Sequence, residues 1–209
     1  MICPKNNFIF IHIPKTAGRS VRSSLRPHCY TKFQELKRVI DLVTVPLGMN
    51  PSQFPKSRYS SLSGHPLGLD YIDQLGDAFY KYYRFTFVRD PYQRMISYYN
   101  WRIRNKAISE TIKFSEFVRM IVEKNELIPQ IDFITDKAGE LLVDYVGKVE
   151  SIEEDFKVIS KNIGIEAALP HKNTAPRHQK TYFDAETKSI VDEYYKNDLE
   201  AFGYKYNGQ

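Results

Sequence analysis

The apolar run Phe8-Ile9-Phe10-Ile11 empties directly into His12-Ile13-Pro14-Lys15-Thr16-Ala17-Gly18-Arg19-Ser20, and no other junction constrains the fold as strongly. The run reads as a strand, and Val21-Arg22-Ser23-Ser24-Leu25 continues the segment as a helix. A strand, a tight turn carrying Lys, Gly and hydroxyls, and then a helix start make a cradle for an anion. The first N–H groups of a helix have no partner inside it, and the helix dipole favours negative charge there. Lys15 adds a mobile cation, and Thr16 and Ser20 add hydroxyl donors. The stretch points to chemistry on a phosphate- or sulfate-bearing ligand.

The loop departs from the nucleotide-triphosphatase pattern G-x-x-x-x-G-K-[ST]. Aligned in frame, Ile13 stands in place of the first Gly, Gly18 fits the second, Arg19 replaces Lys and Ser20 supplies the hydroxyl. The basic residue has moved forward to Lys15. Without the first Gly the loop is expected to wrap fewer phosphates.

A second constellation runs from Arg84-Phe85-Thr86-Phe87-Val88 through Arg89-Asp90-Pro91-Tyr92-Gln93-Arg94 to Ser97-Tyr98-Tyr99. Residues 84–88 are β-branched and aromatic and read as a buried strand. Asp90-Pro91 is an N-cap followed by Pro at the first helical position. Arg89 therefore falls at the carboxyl end of a strand, where open α/β sheets bind ligands. Arg94 and Ser97 share a helix face at i,i+3. A guanidinium with a hydroxyl suits a second, separate phosphate.

The pair IPKTAGRS and FVRDPYQRMISYY resembles the two cofactor signatures of the sulfotransferases that use 3′-phosphoadenosine 5′-phosphosulfate (PAPS), leaving PAP as product. The loop is most similar to that of the carbohydrate (heparan/chondroitin/dermatan-type) branch. The likeness extends to Val143–Glu150, to Leu169-Pro170-His171-Lys172-Asn173 and to Phe202-Gly203-Tyr204, with little signal over 27–63 and 105–140. The resemblance implies that Lys15, Thr16, Ala17, Gly18, Arg19 and Ser20 hold the 5′-phosphosulfate. It implies that Arg89 and Ser97 hold the 3′-phosphate. Many relatives carry Thr or Ser where this chain has Arg19, so the backbone N–H of Arg19 carries over more directly than its side chain.

At 209 residues the chain is expected to form a single domain spanning 1–209. Its net charge of +5 suits an anionic ligand, and no nucleic-acid module is recognisable. Two cysteines, Cys3 and Cys29, exclude a disulfide scaffold. No apolar run approaches the ~18 residues of a membrane span, and no signal peptide precedes the first strand. These features suggest a soluble, cytoplasmic enzyme of bacterial type. The oligomeric state is not encoded in any recognisable pattern.

Further along, helical spacing is expected over 31–43, a Pro/Ser/Gly-rich loop over 44–64, and helices over 70–82, 91–104 and 114–124. A strand is expected at 143–149. Ser151 with Glu154 reads as a capping box opening a helix to about 162. A basic loop occupies 166–182, and a last helix runs from 184 or 185 to 202 with Gly203 as its C-cap. Strands alternating with helices predict an α/β fold: a P-loop-like central parallel sheet flanked by helices on both faces.

Sulfuryl transfer moves a neutral SO₃ unit, so Lys, Arg and backbone donors can balance the charge on the leaving phosphate without a metal. No metal-ligand spacing is present. Lys15 is the natural leaving-group stabiliser. An alcohol acceptor needs a base, and His65, in Leu62-Ser63-Gly64-His65-Pro66, has the right intrinsic basicity and a place after a long loop. A Gly-His at this point also resembles the base of the glycosaminoglycan branch. Glu35 is a rival base, and His12 reads as a core or supporting residue. The segment 171–180 could fold over the nucleotide or attract an anionic glycan, and Trp101 could stack on a sugar or on adenine. The reading is a PAPS-dependent enzyme acting on a carbohydrate or other hydroxyl-bearing acceptor. A degenerate P-loop kinase and a nucleotide- or glycan-binding protein without turnover are the alternatives.

Overall fold

The computed structural model describes residues 1–29, 64–169 and 183–206. Among these, four strands form one sheet in the order β1 (Ile2–Cys3), β2 (Phe8–Ile11), β3 (Tyr83–Val88) and β4 (Tyr145–Lys148). Strands β2, β3 and β4 are parallel, while β1 adds an antiparallel edge, so the sheet is mixed around a parallel core. The edge strand is absent from the sequence reading because two residues show no periodicity. Its pairing, Ile2 with Ile9 and Cys3 with Phe8, defines it.

The seven α-helices of the described residues are α1 (Gly18–Leu25), α2 (Gly68–Leu75), α3 (Pro91–Arg104), α4 (Phe114–Glu123), α5 (Ile152–Asn162), α6 (Ala185–Tyr194) and α7 (Lys196–Phe202). Period-two alternation in the strands sorts them onto two faces. Phe8, Phe10, Phe85 and Phe87 pack on one side with Val21 and Leu25 of α1 and Phe156 and Ile159 of α5. Phe10 and Phe85, paired across β2 and β3, stack at 5.2 Å. Ile9, Ile11 and Val88 face the other way, against Tyr71 of α2 and Phe202 of α7. Each fully buried Phe stabilises the fold by roughly 1.5–3 kcal/mol over exposure. Gly147 makes one contact possible. A Cβ there would lie 2.7 Å from the Phe87 ring and 3.2 Å from Asp155 Cβ, so only glycine lets that ring lie across β4. A separate core joins α3, α4 and α6 through Met95, Phe117, Ile121 and Val191.

Several boundaries differ from the sequence reading for local reasons. The helix expected over 70–82 stops at Leu75, where Gly76 turns to φ 55, and continues as a 3-10 helix over Gly76–Lys81. Ser151 does open α5, but its hydroxyl donates to Asp155 Oδ2 at 2.8 Å and the capping box with Glu154 does not form. The last helix is two helices that meet at Tyr195, capped at the start by the reciprocal Asp184–Thr187 bonds and at the end by Gly203 at φ 67. The expected helix over 31–43, the loop over 44–63, Glu35 and the segment 171–180 lie outside the described residues. Among the described residues no helix is long and apolar enough to cross a membrane.

Candidate active site

Because β2 and β3 are adjacent and parallel, with Ile11 opposite Thr86, the loops that leave their carboxyl ends share one edge of the sheet. The Lys15 loop and the Arg89 corner are therefore neighbours, one strand spacing apart, about 4.8 Å in the pairing direction.

The loop from His12 to Ala17 is held from several directions. Lys15 and Ala17 both adopt left-handed backbone, at φ 69 and φ 59, which is unusual for residues other than glycine. Thr16 is fully buried and its hydroxyl donates to Ile13 O at 2.9 Å, so its proton already serves the loop. The Ala17 carbonyl accepts from Ser20 N at 2.9 Å and Val21 N at 3.3 Å, which starts α1. The N–H groups of Gly18 and Arg19 open the helix with no acceptor inside it. Arg94, fully buried, donates from Nε to Pro14 O at 3.0 Å and from Nη1 to Ile128 O at 2.9 Å. The sequence reading gave Arg94 the same helix face as Ser97. The structure engages Nε and Nη1 of its guanidinium in bracing the loop, and leaves Nη2 buried without a hydrogen-bond partner among the described residues.

Lys15 is half-buried, and its ammonium lies 5.5 Å from the centre of the Trp101 ring. Burial, then the positive fields of Arg104, Arg89 and Arg19, lower its pKa to about 8. Among the described residues no carboxylate forms a salt bridge with Lys15, Arg19 or Arg104. On α3, Arg94, Ser97, Trp101 and Arg104 recur at helical spacing. Arg94 reaches Pro14 and Trp101 reaches Lys15, so Ser97 lies on the stripe that runs beside the loop. Its hydroxyl makes no hydrogen bond among the described residues.

Arg89 follows the last residue of β3. Gln130 holds its backbone from both sides, and Asp198 in turn holds Gln130 through Oδ2, at 2.8 Å from its N and 3.0 Å from its Nε2. Asp198 Oδ1 also accepts from Ile131 N at 2.9 Å. Asp90 caps α3 as its sequence suggests, accepting from Tyr92 N at 2.8 Å and Gln93 N at 3.1 Å. Its own N–H donates to Glu150, which also accepts from the Tyr204 hydroxyl. Burial raises the pKa of both Asp90 and Asp198.

His65 is exposed and stands at the β2 end of this edge. Its Nδ1 lies 3.2 Å from the His12 carbonyl oxygen. A carbonyl can only accept, so Nδ1 carries the hydrogen and the lone pair of the neutral ring sits on Nε2. The structure thus gathers Lys15, Arg19, Arg89, Ser97 and His65 along one sheet edge and α3.

A family model described as the sulfotransferase family matches residues 1–205. The chain belongs to the sulfotransferase family. Comparison with curated proteins and with solved structures returns no match. Membership makes sulfuryl transfer to an acceptor the chemistry to be explained, and it puts the strand-end cations of this sulfotransferase in a functional light.

Sequence reasoning missed Gln130 and Asp198, and gave Glu150 and Tyr204 no role beyond the segments of likeness that contain them; the four build the Arg89 corner. Gln130 and Asp198 are far apart in sequence and sit in segments without a local signature. The one available hint was their type: a polar side chain in an apolar surrounding needs a partner.

Proposed function

We propose that this sulfotransferase takes its sulfuryl group from PAPS and delivers it to a hydroxyl of a carbohydrate. One observation carries the reading: the cluster of Lys15, Arg19, Arg89 and Arg104, in which burial and then the positive neighbours lower the basicity of Lys15 and no carboxylate pairs with Lys15, Arg19 or Arg104 among the described residues. Such a cluster is stabilised by an anion of several charges. Two anion sites on adjacent strand ends suit one nucleotide phosphorylated at two positions.

In this reading the residues divide the work. The N–H groups at the start of α1, with Lys15, Thr16, Ala17, Gly18, Arg19 and Ser20, hold the 5′-phosphosulfate, and Arg89 with Ser97 holds the 3′-phosphate. PAPS, when bound, supplies an activated sulfur–oxygen bond to phosphate. His65 Nε2 accepts the proton of the acceptor hydroxyl as its oxygen bonds to sulfur. Lys15 and the helix N–H groups take up the negative charge that forms on the phosphate oxygen as its bond to sulfur breaks. The products are a sulfate ester and PAP, and no metal is assigned a part.

The test is transfer from radiolabelled PAPS to a panel of oligosaccharides and small alcohols. Lys15→Ala and His65→Ala are each expected to lower kcat by roughly 10²-fold or more with folding intact. Labelling that requires ATP and Mg²⁺ in place of PAPS would favour a kinase instead. Tight PAP binding with no transfer to any acceptor would favour a binding protein.

A further inference from the structure

The His12 ring touches both halves of the site. It is buried, and it stacks on Phe10 with ring centres 5.7 Å apart. Its other neighbours are functional. The His65 ring meets it edge to face at 4.5 Å, and the His12 carbonyl takes the His65 Nδ1 hydrogen at 3.2 Å. On the cradle side, Gly18 rests directly on the imidazole. A Cβ at Gly18 would overlap His12 Cδ2 and Nε2 and come within 2.7 Å of its Cγ. One rigid side chain therefore separates the nitrogen that would take a proton from the helix start that would hold the departing phosphate.

We infer that His12 is a positioning residue: its ring is the spacer that fixes His65, in the Nδ1–H tautomer, at a set distance from the N-terminus of α1. The inference rests on His65 being the base. The spacer acts by shape. His12 is anchored beneath by Phe10, which belongs to the core of the sheet, so it cannot drift with the exposed His65. Burial and the neighbouring His65 keep the His12 imidazole neutral, with a pKa lowered to about 3, so it takes no proton itself. The loop has other supports, in the Arg94–Pro14 and Thr16–Ile13 bonds, and these do not depend on the ring.

Two variants separate shape from chemistry. His12→Ala removes the spacer, and His12→Phe keeps a planar ring without nitrogens. Nitrogen-15 NMR of labelled full-length protein reads the His65 tautomer, calorimetry reads PAP affinity, and turnover is measured beside them. His12→Ala keeps the carbonyl that accepts the His65 Nδ1 hydrogen but removes the ring that seats His65 against it. The exposed His65 is therefore expected to swing off that carbonyl and lose its Nδ1–H preference, and kcat to fall by about tenfold or more, since small misplacements of a reacting group are costly. PAP affinity is expected to stay within about threefold, because the cradle bonds remain. His12→Phe is expected to keep the tautomer and to turn over within about threefold of the parent. An unchanged His65 tautomer in His12→Ala overturns the inference, as does a His12→Phe variant no more active than His12→Ala. If His65→Ala is itself fully active, the base assignment fails. The tautomer measurement still reports whether His12 positions that ring.

Discussion

Gln130 grips Arg89 by both of its backbone polar groups. Gln130 Oε1 accepts from the Arg89 N–H at 2.9 Å, and Gln130 Nε2 donates to the Arg89 carbonyl at 2.8 Å. The same Nε2 lies 3.0 Å from Asp198 Oδ2, so the amide's orientation is itself fixed from α7. The corner that carries Arg89 is thereby set by two fully buried polar side chains. Replacing Gln130 by Leu strands buried donors and acceptors and is expected to cost roughly 2–4 kcal/mol of stability. It should also weaken PAP binding more than AMP binding, because Arg89 is assigned to the 3′-phosphate. Denaturant melts and calorimetry with both nucleotides check this, and an equal loss for PAP and AMP would count against the assignment.

Gly18→Ala is expected to damage the cradle by a specific collision. The added methyl would overlap the His12 ring, so α1 or His12 must move, at about 1–3 kcal/mol. PAP affinity should fall by about tenfold or more, in line with that cost. Because the collision is with a side chain, His12→Ala in the same chain should restore most of the lost affinity. A double-mutant cycle measures the coupling. No recovery in the double variant would show that the contact is not the cause.

Lys15 makes ligand binding depend on pH. Its ordinary pKa of 10.5 is lowered to about 8 in the folded chain by burial and three arginines. Between those values the unfolded chain holds more protons than the folded one, so this group's contribution to stability rises with pH across that window. An anion beside Lys15 reverses the shift. PAP binding above pH 8 should therefore take up a proton, and affinity should fall as pH rises through 8. Calorimetry in buffers of different ionisation enthalpy reads the uptake directly. Lys15→Arg keeps the charge and should abolish the uptake, and uptake that persists in that variant would assign the proton elsewhere.

The two junctions that carry the candidate site were legible because their signals are local. An apolar strand run ending in a turn, and Asp90-Pro91 as cap and first helical residue, place β2, α1, β3 and α3 within a residue or two of where they lie. What was not legible is contact across the fold. Arg94 has the composition of an anion binder, yet its direction depends on Pro14 and Ile128 packing over it, and no spacing rule contains that. Ser151 and Glu154 match a capping pattern, but Asp155 competes for the serine because it also serves Tyr145 and Lys148. The bearing of His12 on His65 is of the same kind: the residues are 53 apart in sequence, and only the sheet edge brings them together.

Trp101 offers a direct optical report on the site, since it is the chain's single tryptophan. Its indole lies parallel to Tyr98 at 5.8 Å and faces the Lys15 ammonium at 5.5 Å. A cation over an indole face is stabilised by about 0.5–1 kcal/mol at a partly exposed site. Removing that support by Trp101→Leu leaves Lys15 among arginines alone and should lower its pKa further, by roughly half a unit. The alkaline limb of the pH–kcat/KM profile should move down by the same amount. In the parent chain, an anion that draws Lys15 towards itself changes the field on the indole. PAP titration should then change tryptophan emission saturably, with the midpoint found by calorimetry. Lys15→Ala should lose most of that emission change. An undiminished response in that variant would place the reporting contact between nucleotide and indole themselves, with the ammonium no intermediary.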